Sequence, residues 1–204
     1  MELSKIAIYV DGPTEEGALT AWFHKYYYSK PEFRYGPGNG VDYSLKGYAK
    51  NVAPKVVQNL KSMIHQIIFI PDFEKRQQKY NMSFDKFLTD LRLEIITECT
   101  NISDFKEEYL REVLHVCPSN IMFENWIICD VDGIKQNPDL NIRGVCGDYD
   151  GKNGSSILSS MMDIKYKKTI HAKKLYKYVD PARGIAYSHS YRLFCETINK
   201  LICL

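Results

Sequence analysis

Apolar runs and helix-period segments alternate along this chain, and two of the runs stop at acid. Lys5-Ile-Ala-Ile-Tyr-Val10 ends at Asp11-Gly-Pro-Thr-Glu15, and Ile67-Ile-Phe-Ile-Pro71 ends at Asp72-Phe-Glu74. Short apolar runs closed by turn residues read as buried strands, so strands are expected over about 5–10 and 66–71. After the first run Gly12-Pro13 makes a turn. Thr14 then stands where it can cap a helix whose opening Glu15 and Glu16 suit its positive end, with a body from Ala18 to Tyr28.

Gly36-Pro-Gly-Asn-Gly40 is too rich in breakers to be anything but loop, and a short strand is expected behind it over Val41 to Leu45. The next segment reads as a helix to about His65. Its Val52, Val56, Leu60 and Ile64 recur every four residues, with Val57 and Met63 beside the stripe. Ser83 to Cys99 returns to helical spacing, with Ser83 as cap and Phe84, Phe87, Leu88, Leu91 and Ile95 as the apolar stripe. A third strand is expected over Val113 to Cys117. The C-terminal third is less regular until Ser190 to Leu204, where Leu193, Phe194, Ile198, Leu201 and Ile202 mark an amphipathic helix.

Strands and helices interleave without repeats or low-complexity tracts, which predicts an α/β fold: a central, mostly parallel sheet flanked by helices, with a helical C-terminal part. The chain of 204 residues, 45% hydrophobic, has material for one full core. A single domain over 1–204 is expected, with its core over about 1–135 and a basic, helical part over about 136–204.

No stretch approaches the roughly 20 apolar residues of a membrane span, and Met-Glu-Leu-Ser-Lys lacks the order of a signal peptide, so no membrane association and a cytoplasmic location are expected. The six cysteines are scattered, with no Cys-x-x-Cys pair, and read as buried reduced thiols. The five histidines form no ligating spacing. There is no Gly-x-Ser-x-Gly elbow for a triad hydrolase, and Gly36-Pro-Gly-Asn-Gly40 lacks the Lys-Ser/Thr of a phosphate-binding loop.

The net charge of +2 says little by itself, but the positive charge is uneven. Lys165, Lys167, Lys168, Lys173, Lys174, Lys177 and Arg183 face a single acid, Asp180, over residues 165–183. Tyr166, Tyr176 and Tyr178 are interleaved with them, a mixture that suits a phosphate backbone with stackable bases. A solvated helix face is the other reading.

Carboxylates just past the carboxyl ends of two buried strands fall in the crevice where open α/β sheets bind ligands, and there they can share a divalent cation. Clustered carboxylates without thiolate or histidine partners select hard Mg²⁺ or Mn²⁺. Glu124 sits in the apolar neighbourhood of Ile121-Met-Phe-Glu-Asn-Trp-Ile-Ile-Cys-Asp130. On a helix it lies six positions from Asp130, so only one of the two carboxylates is expected to point into a site. Each acid has a plainer reading. Asp11 can shape a turn, Glu15 can complement a helix dipole, Glu74 can be surface charge before Lys75-Arg76, and Glu124 can be a buried acid with a structural lysine partner.

Tyr9-Val-Asp-Gly-Pro-Thr-Glu15 resembles the strand-acid-Gly-x-x-Glu signature of toprim domains, and Pro71-Asp-Phe-Glu74 resembles their Asp-x-Asp motif. The similarity is to stand-alone toprim-like relatives of the OLD-type nucleases. Phe123-Glu-Asn-Trp126 with Asp130, a lysine-bearing helix containing Lys173 or Lys174, and Ser190-Tyr-Arg192 are similar to further segments of those relatives. Two positions depart: Asp11 stands where toprim domains usually have Glu, and Glu74 where they have Asp. Both keep the charge and change side-chain reach by about one methylene, roughly 1.5 Å.

The resemblance implies a nuclease using Mg²⁺ or Mn²⁺, in defence against phage or other foreign DNA, and a separate ATPase subunit as its partner. It implies metal held by Asp11, Glu15, Asp72, Glu74 and Glu124. Asp11, Glu15, Lys173 and Lys174 would take part in catalysis, and Lys165, Lys167, Lys168, Lys173, Lys174, Lys177, Arg183 and Arg192 would contact nucleic acid. The alternative is a non-catalytic module that binds nucleic acid or protein. A third reading is another acid-cluster nuclease fold, since Ile6-Ala-Ile-Tyr-Val-Asp-Gly12 also resembles the opening of PIN-like domains, whose following polar residue is missing here at Pro13. Trp22, Phe23, Tyr26, Tyr27 and Tyr28 offer either a face for a second copy, making a homo-oligomer, or core packing.

Overall fold

The computed structural model describes residues 5–27, 30–37, 43–74 and 81–202. It divides into two compact units. Met1–Gly12, Pro31–Pro118 and Leu201–Leu204 form the first; Pro13–Lys30 and Ser119–Lys200 form the second.

The first unit is built on a four-stranded, all-parallel sheet of β1 (Ile6–Val10), β2 (Glu32–Tyr35), β3 (Gln66–Ile70) and β4 (Leu114–Val116), in the order β2-β1-β3-β4. Every residue of β1, and all of β3 after Gln66, is buried, as the continuous apolar runs require of a parallel sheet. Ala7, Tyr9, Ile67, Phe69, Leu114 and Val116 belong to one core with α2 (Leu45–Lys61) and α3 (Phe84–Ile102). From α2 that core takes Val52, Val56 and Leu60; from α3 it takes Phe87, Leu91 and Ile95. Both helices start at the serines that can cap them: Ser44 accepts from Gly47 N–H at 3.0 Å and Ser83 from Lys86 N–H at 3.3 Å. A short helix over Glu107–Val113 leads into β4.

Two expectations need correction here. Of the short strand placed over Val41 to Leu45, 41 and 42 lie outside the described residues, Tyr43 and Ser44 are not in a strand, and Leu45 opens α2. The second strand is Glu32–Tyr35, whose exposed Glu32 and Tyr35 conceal it from an apolar-run reading. The helix expected to reach His65 ends at Lys61, because Met63 takes φ 64°, a left-handed conformation no helix continues through. Ile64 still packs in the core.

The second unit is helical. It contains α1 (Pro13–Tyr26), followed after residue 118 by Glu124–Ile128, Val131–Ile134, Gly154–Met161, Lys168–Tyr176, Pro181–Gly184 and the helix His189–Ile202, whose last two residues belong to the first unit. In chain order, with the helix Glu107–Val113 as α4, these are α5 to α10. The interval before Ser190 that looks irregular in the sequence thus contains three short helices, α7, α8 and α9, too brief for their periodicity to register. Tyr28 and the last two residues, 203 and 204, fall outside the described residues.

Aromatic rings make the core of this unit. Trp126 stacks on Phe194 with centroids 4.7 Å apart, and Trp22 meets Phe23, Tyr176, Tyr191 and Phe194. Both indole N–H groups are satisfied: Trp22 donates to the Val179 carbonyl and Trp126 to Ser190 Oγ, each at 2.9 Å. The Trp22-Phe23 face of α1 is therefore spent on its own unit's interior. Among the described residues, no helix is long and apolar enough to cross a membrane.

Candidate functional site

The carboxylates singled out in the sequence fall into two groups, one in each unit. In the first unit Asp11 follows β1 and Asp72 follows β3, at the carboxyl ends of neighbouring parallel strands. Strand order runs from β1 to β2 on one side and from β1 to β3 on the other. The gap between β1 and β3 is thus the point where direction reverses and where ligands of open α/β sheets bind. The two residues are joined directly: the backbone N–H of Asp72 donates to Asp11 Oδ2 at 3.2 Å.

Phe73 fixes the local geometry of the second acidic motif. Its ring is 2% exposed and packs against Phe84 and Phe87, which leaves Asp72 and Glu74, the residues on either side of it, partly exposed. Glu74 takes φ 28°, a value unusual for a residue with a side chain. Gly36, which follows β2, keeps space beside Asp11. A Cβ there would lie 3.0 Å from the Tyr48 hydroxyl and 3.7 Å from Asp11 Oδ1.

In the second unit Glu15, in the first turn of α1, and Glu124, which opens α5, are both deeply buried. Lys168, at the start of α8, links them. Its Nζ is 2.6 Å from Glu15 Oε1 and 3.9 Å from Glu124 Oε2. Tyr166 donates its hydroxyl to Glu124 Oε1 at 3.3 Å, and burial together with the adjacent Glu124 charge holds the phenol well above its ordinary range. His171 stands next to Tyr166, with ring centroids 5.8 Å apart, and its Nδ1 accepts the Lys167 N–H at 2.8 Å. That bond leaves Nδ1 without a proton, and burial, with Lys174 and Lys167 nearby, lowers the imidazole pKa.

Asp130 is separate from this pair. It is fully buried, receives Arg183 Nε and Nη2 at 2.9 Å each, and accepts the backbone N–H groups of Gly133 and Asp180. It thereby caps α6 and holds the entry to α9.

Lys165, Lys167, Lys173, Lys174 and Lys177 are exposed on α8 and its flanks, and Lys168 is partly withdrawn. The Lys173 stem runs beside α1, with Cδ 3.7 Å from where a Cβ on Gly17 would stand. Arg183 is committed to Asp130, and the Arg192 Nε donates to the Ile185 carbonyl at 3.0 Å. Lys25 lies over the rings of Tyr26 and Tyr178, and Lys177 over Tyr178, which makes an alternating series of cations and ring faces.

Sequence reasoning did not single out Tyr166 as a Glu124 partner, nor Asp150. The Asp150 carboxylate accepts from Ser188 Oγ at 2.9 Å and from Ser190 N–H at 3.1 Å, and burial raises its pKa against the lowering effect of those bonds. Such pairings join positions 38 and 40 residues apart and leave no local signal.

The donor set suits a hard divalent cation, since the available ligands are carboxylate oxygens. Among the described residues, no three His, Cys, Asp or Glu side chains already converge into a finished cage. Compared with known proteins, the chain matches no family model, no curated protein and no solved structure.

Proposed function

We propose that the protein is a divalent-metal-dependent nuclease of toprim type, acting on nucleic-acid phosphodiesters in the cytoplasm. The observation that carries this reading is the placement of Asp11 and Asp72 at the carboxyl ends of the two strands between which sheet order reverses. Asp11 and Asp72, with Glu74 two residues on, are the groups in the first unit that would hold Mg²⁺ or Mn²⁺. When bound, such a cation supplies Lewis acidity that activates water and offsets charge on the departing oxygen.

The chain's own residues provide the rest. The bond from Asp72 N–H holds one Asp11 oxygen and so fixes the orientation of that carboxylate. The exposed lysines of α8 and its flanks, Lys165, Lys167, Lys173, Lys174 and Lys177, supply cations for a phosphate backbone, and Tyr178 supplies a ring face between Lys25 and Lys177. A role in defence against phage, with a separate ATPase subunit, follows from the toprim resemblance and is part of the proposal.

The test is incubation of purified protein with plasmid DNA, single-stranded DNA and total RNA in Mg²⁺ or Mn²⁺. Cleavage that disappears on chelation is expected with at least one substrate. Intact substrates under all conditions would count against the reading.

A second reading has its own observation. Glu15 and Glu124 already share the Lys168 ammonium, an arrangement a non-catalytic binding module can keep for stability alone. Binding of nucleic acid without metal-dependent cleavage would favour it.

A further inference from the structure

Apart from the acid groups described above, the second unit holds an open cavity of about 450 Å³, within the roughly 300–1,000 Å³ of small-molecule sites. Tyr26 and Tyr27 at the end of α1, Asp180 before α9, and Glu196 and Asn199 on α10 line it. We infer that this cavity takes a guanine base carrying a phosphate, with the tyrosine rings against the purine and α10 reading its Watson–Crick edge. The inference rests on the nucleic-acid reading above and adds a base preference to it; a free guanine nucleotide presents the same chemistry.

The edge is matched by two neighbouring groups. Guanine presents the O6 acceptor beside two donors, N1–H and the 2-amino group. Tyr27 donates its hydroxyl to Asn199 Oδ1 at 2.9 Å, which leaves the amide Nδ2 as the donor for O6. Glu196 is exposed, and among the described residues its carboxylate enters no hydrogen bond or ion pair. Ionised, it only accepts, as N1–H and the 2-amino group require. Residues three apart on a helix are neighbours, about 5–6 Å between Cβ atoms, so the two groups can meet one base edge together. Adenine inverts the match, setting its 6-amino group against the amide donor and its N1 lone pair against the carboxylate.

The rings supply the second element of recognition, since any base stacks on an aromatic face and the edge then selects among bases. Charge supplies the third. Asp180 is already engaged: its Oδ1 accepts the N–H groups of Ala182 and Arg183, and its Oδ2 lies 3.8 Å from Arg183 Nη1. Glu196 is therefore the lining acid open to a ligand. Cations flank the cavity, with Lys25 Nζ 4.7 Å from the Tyr26 ring centroid and Arg192 Nε bonded to the carbonyl of Ile185, another lining residue. Lys25 also lies over Tyr178, which Lys177 shares, so the cavity adjoins the series of cations and rings that suits a phosphate backbone.

Isothermal titration calorimetry in chelator and low salt tests the base preference. Wild type is expected to bind guanosine 5′-monophosphate at least tenfold tighter than adenosine 5′-monophosphate, with inosine 5′-monophosphate, which lacks the 2-amino group, between them. Glu196→Gln keeps the side-chain volume at an exposed position and is expected to abolish the preference. Equal affinity for the guanine and adenine nucleotides, no binding of either, or a preference retained by Glu196→Gln overturns the inference. The wild-type comparison stands without any variant.

Fluorescence anisotropy with labelled octathymidylate, and with the same strand carrying one central guanine, separates the two sources. Tighter binding of the guanine-bearing strand supports the cavity as a base pocket for nucleic acid. A guanine preference confined to the mononucleotide supports it as a nucleotide site. Metal-dependent cleavage by a wild type that shows no guanine preference overturns this inference and leaves the nuclease reading intact. A guanine preference without cleavage in any metal supports this inference and counts against that reading.

Discussion

The backbone N–H of Asp72 donates to the carboxylate of Asp11 across 3.2 Å, tying together the carboxyl ends of β1 and β3. Two variants separate the parts of this contact. Asp11→Ala removes the acceptor of a partly buried N–H and is expected to cost about 1–3 kcal/mol in denaturant unfolding. Asp72→Asn keeps the N–H, and with it the bond to Asp11, so its midpoint is expected to stay close to wild type.

Phe73 positions the acids on either side of it through its contacts with Phe84 and Phe87. Phe73→Ala is expected to lower stability by about 3–5 kcal/mol, as the loss of a buried aromatic ring from a packed core does. Phe73→Leu keeps most of the volume and is expected to recover more than half of that loss. Equal destabilisation by both would mean that ring packing is not what holds the motif.

Asp130 depends on Arg183. Arg183→Met leaves a fully buried carboxylate without its cation and is expected to cost about 3 kcal/mol, read as a fall in the unfolding midpoint. Adding Asp130→Asn to that variant is expected to restore part of the loss, because the stranded charge goes with it. A loss that stays the same in the double variant would assign the cost to packing of the Arg183 stem.

His171 sets a pH dependence. Its folded pKa lies below the ordinary 6.5, because burial and the nearby Lys174 and Lys167 disfavour the charged ring. A base of this kind is protonated first in the unfolded chain. Its contribution is therefore complete above 6.5 and is lost as pH falls from 6.5 towards the lower folded value. His171→Gln is expected to show a flatter decline of stability over that interval than wild type, in urea titrations at successive pH values.

The elements legible in the sequence are those whose burial leaves a regular mark. β1 and β3 are continuous apolar runs, and α2 and α3 carry stripes that face one core. β2 is only four residues long and has charge or exposure at both ends, so its contribution to the sheet depends on pairing with β1 rather than on its own pattern. The acids past β1 and β3 were legible because a strand end is a local feature.

What the acids of the second unit meet was not legible in the same way. Seven basic residues crowd 165–183, and nothing in their spacing distinguishes Lys168, which turns inward to Glu15, from Lys167, which remains exposed. That choice is made by the way α8 packs on α1. The division into two units was equally hidden. One boundary falls between Gly12 and Pro13, within the motif that joins Asp11 to Glu15 in the sequence.

The central claim is that Asp72 serves metal-dependent phosphodiester cleavage. The most direct measurement compares wild type with Asp72→Asn on the same nucleic acid, in Mn²⁺ and in chelator, after both proteins give matching unfolding midpoints. The account predicts cleavage by wild type in Mn²⁺ alone and a loss of about 100-fold or more in the variant, the scale expected when a group acting on charge in the transition state is removed. Wild-type cleavage that persists undiminished in Asp72→Asn would contradict it.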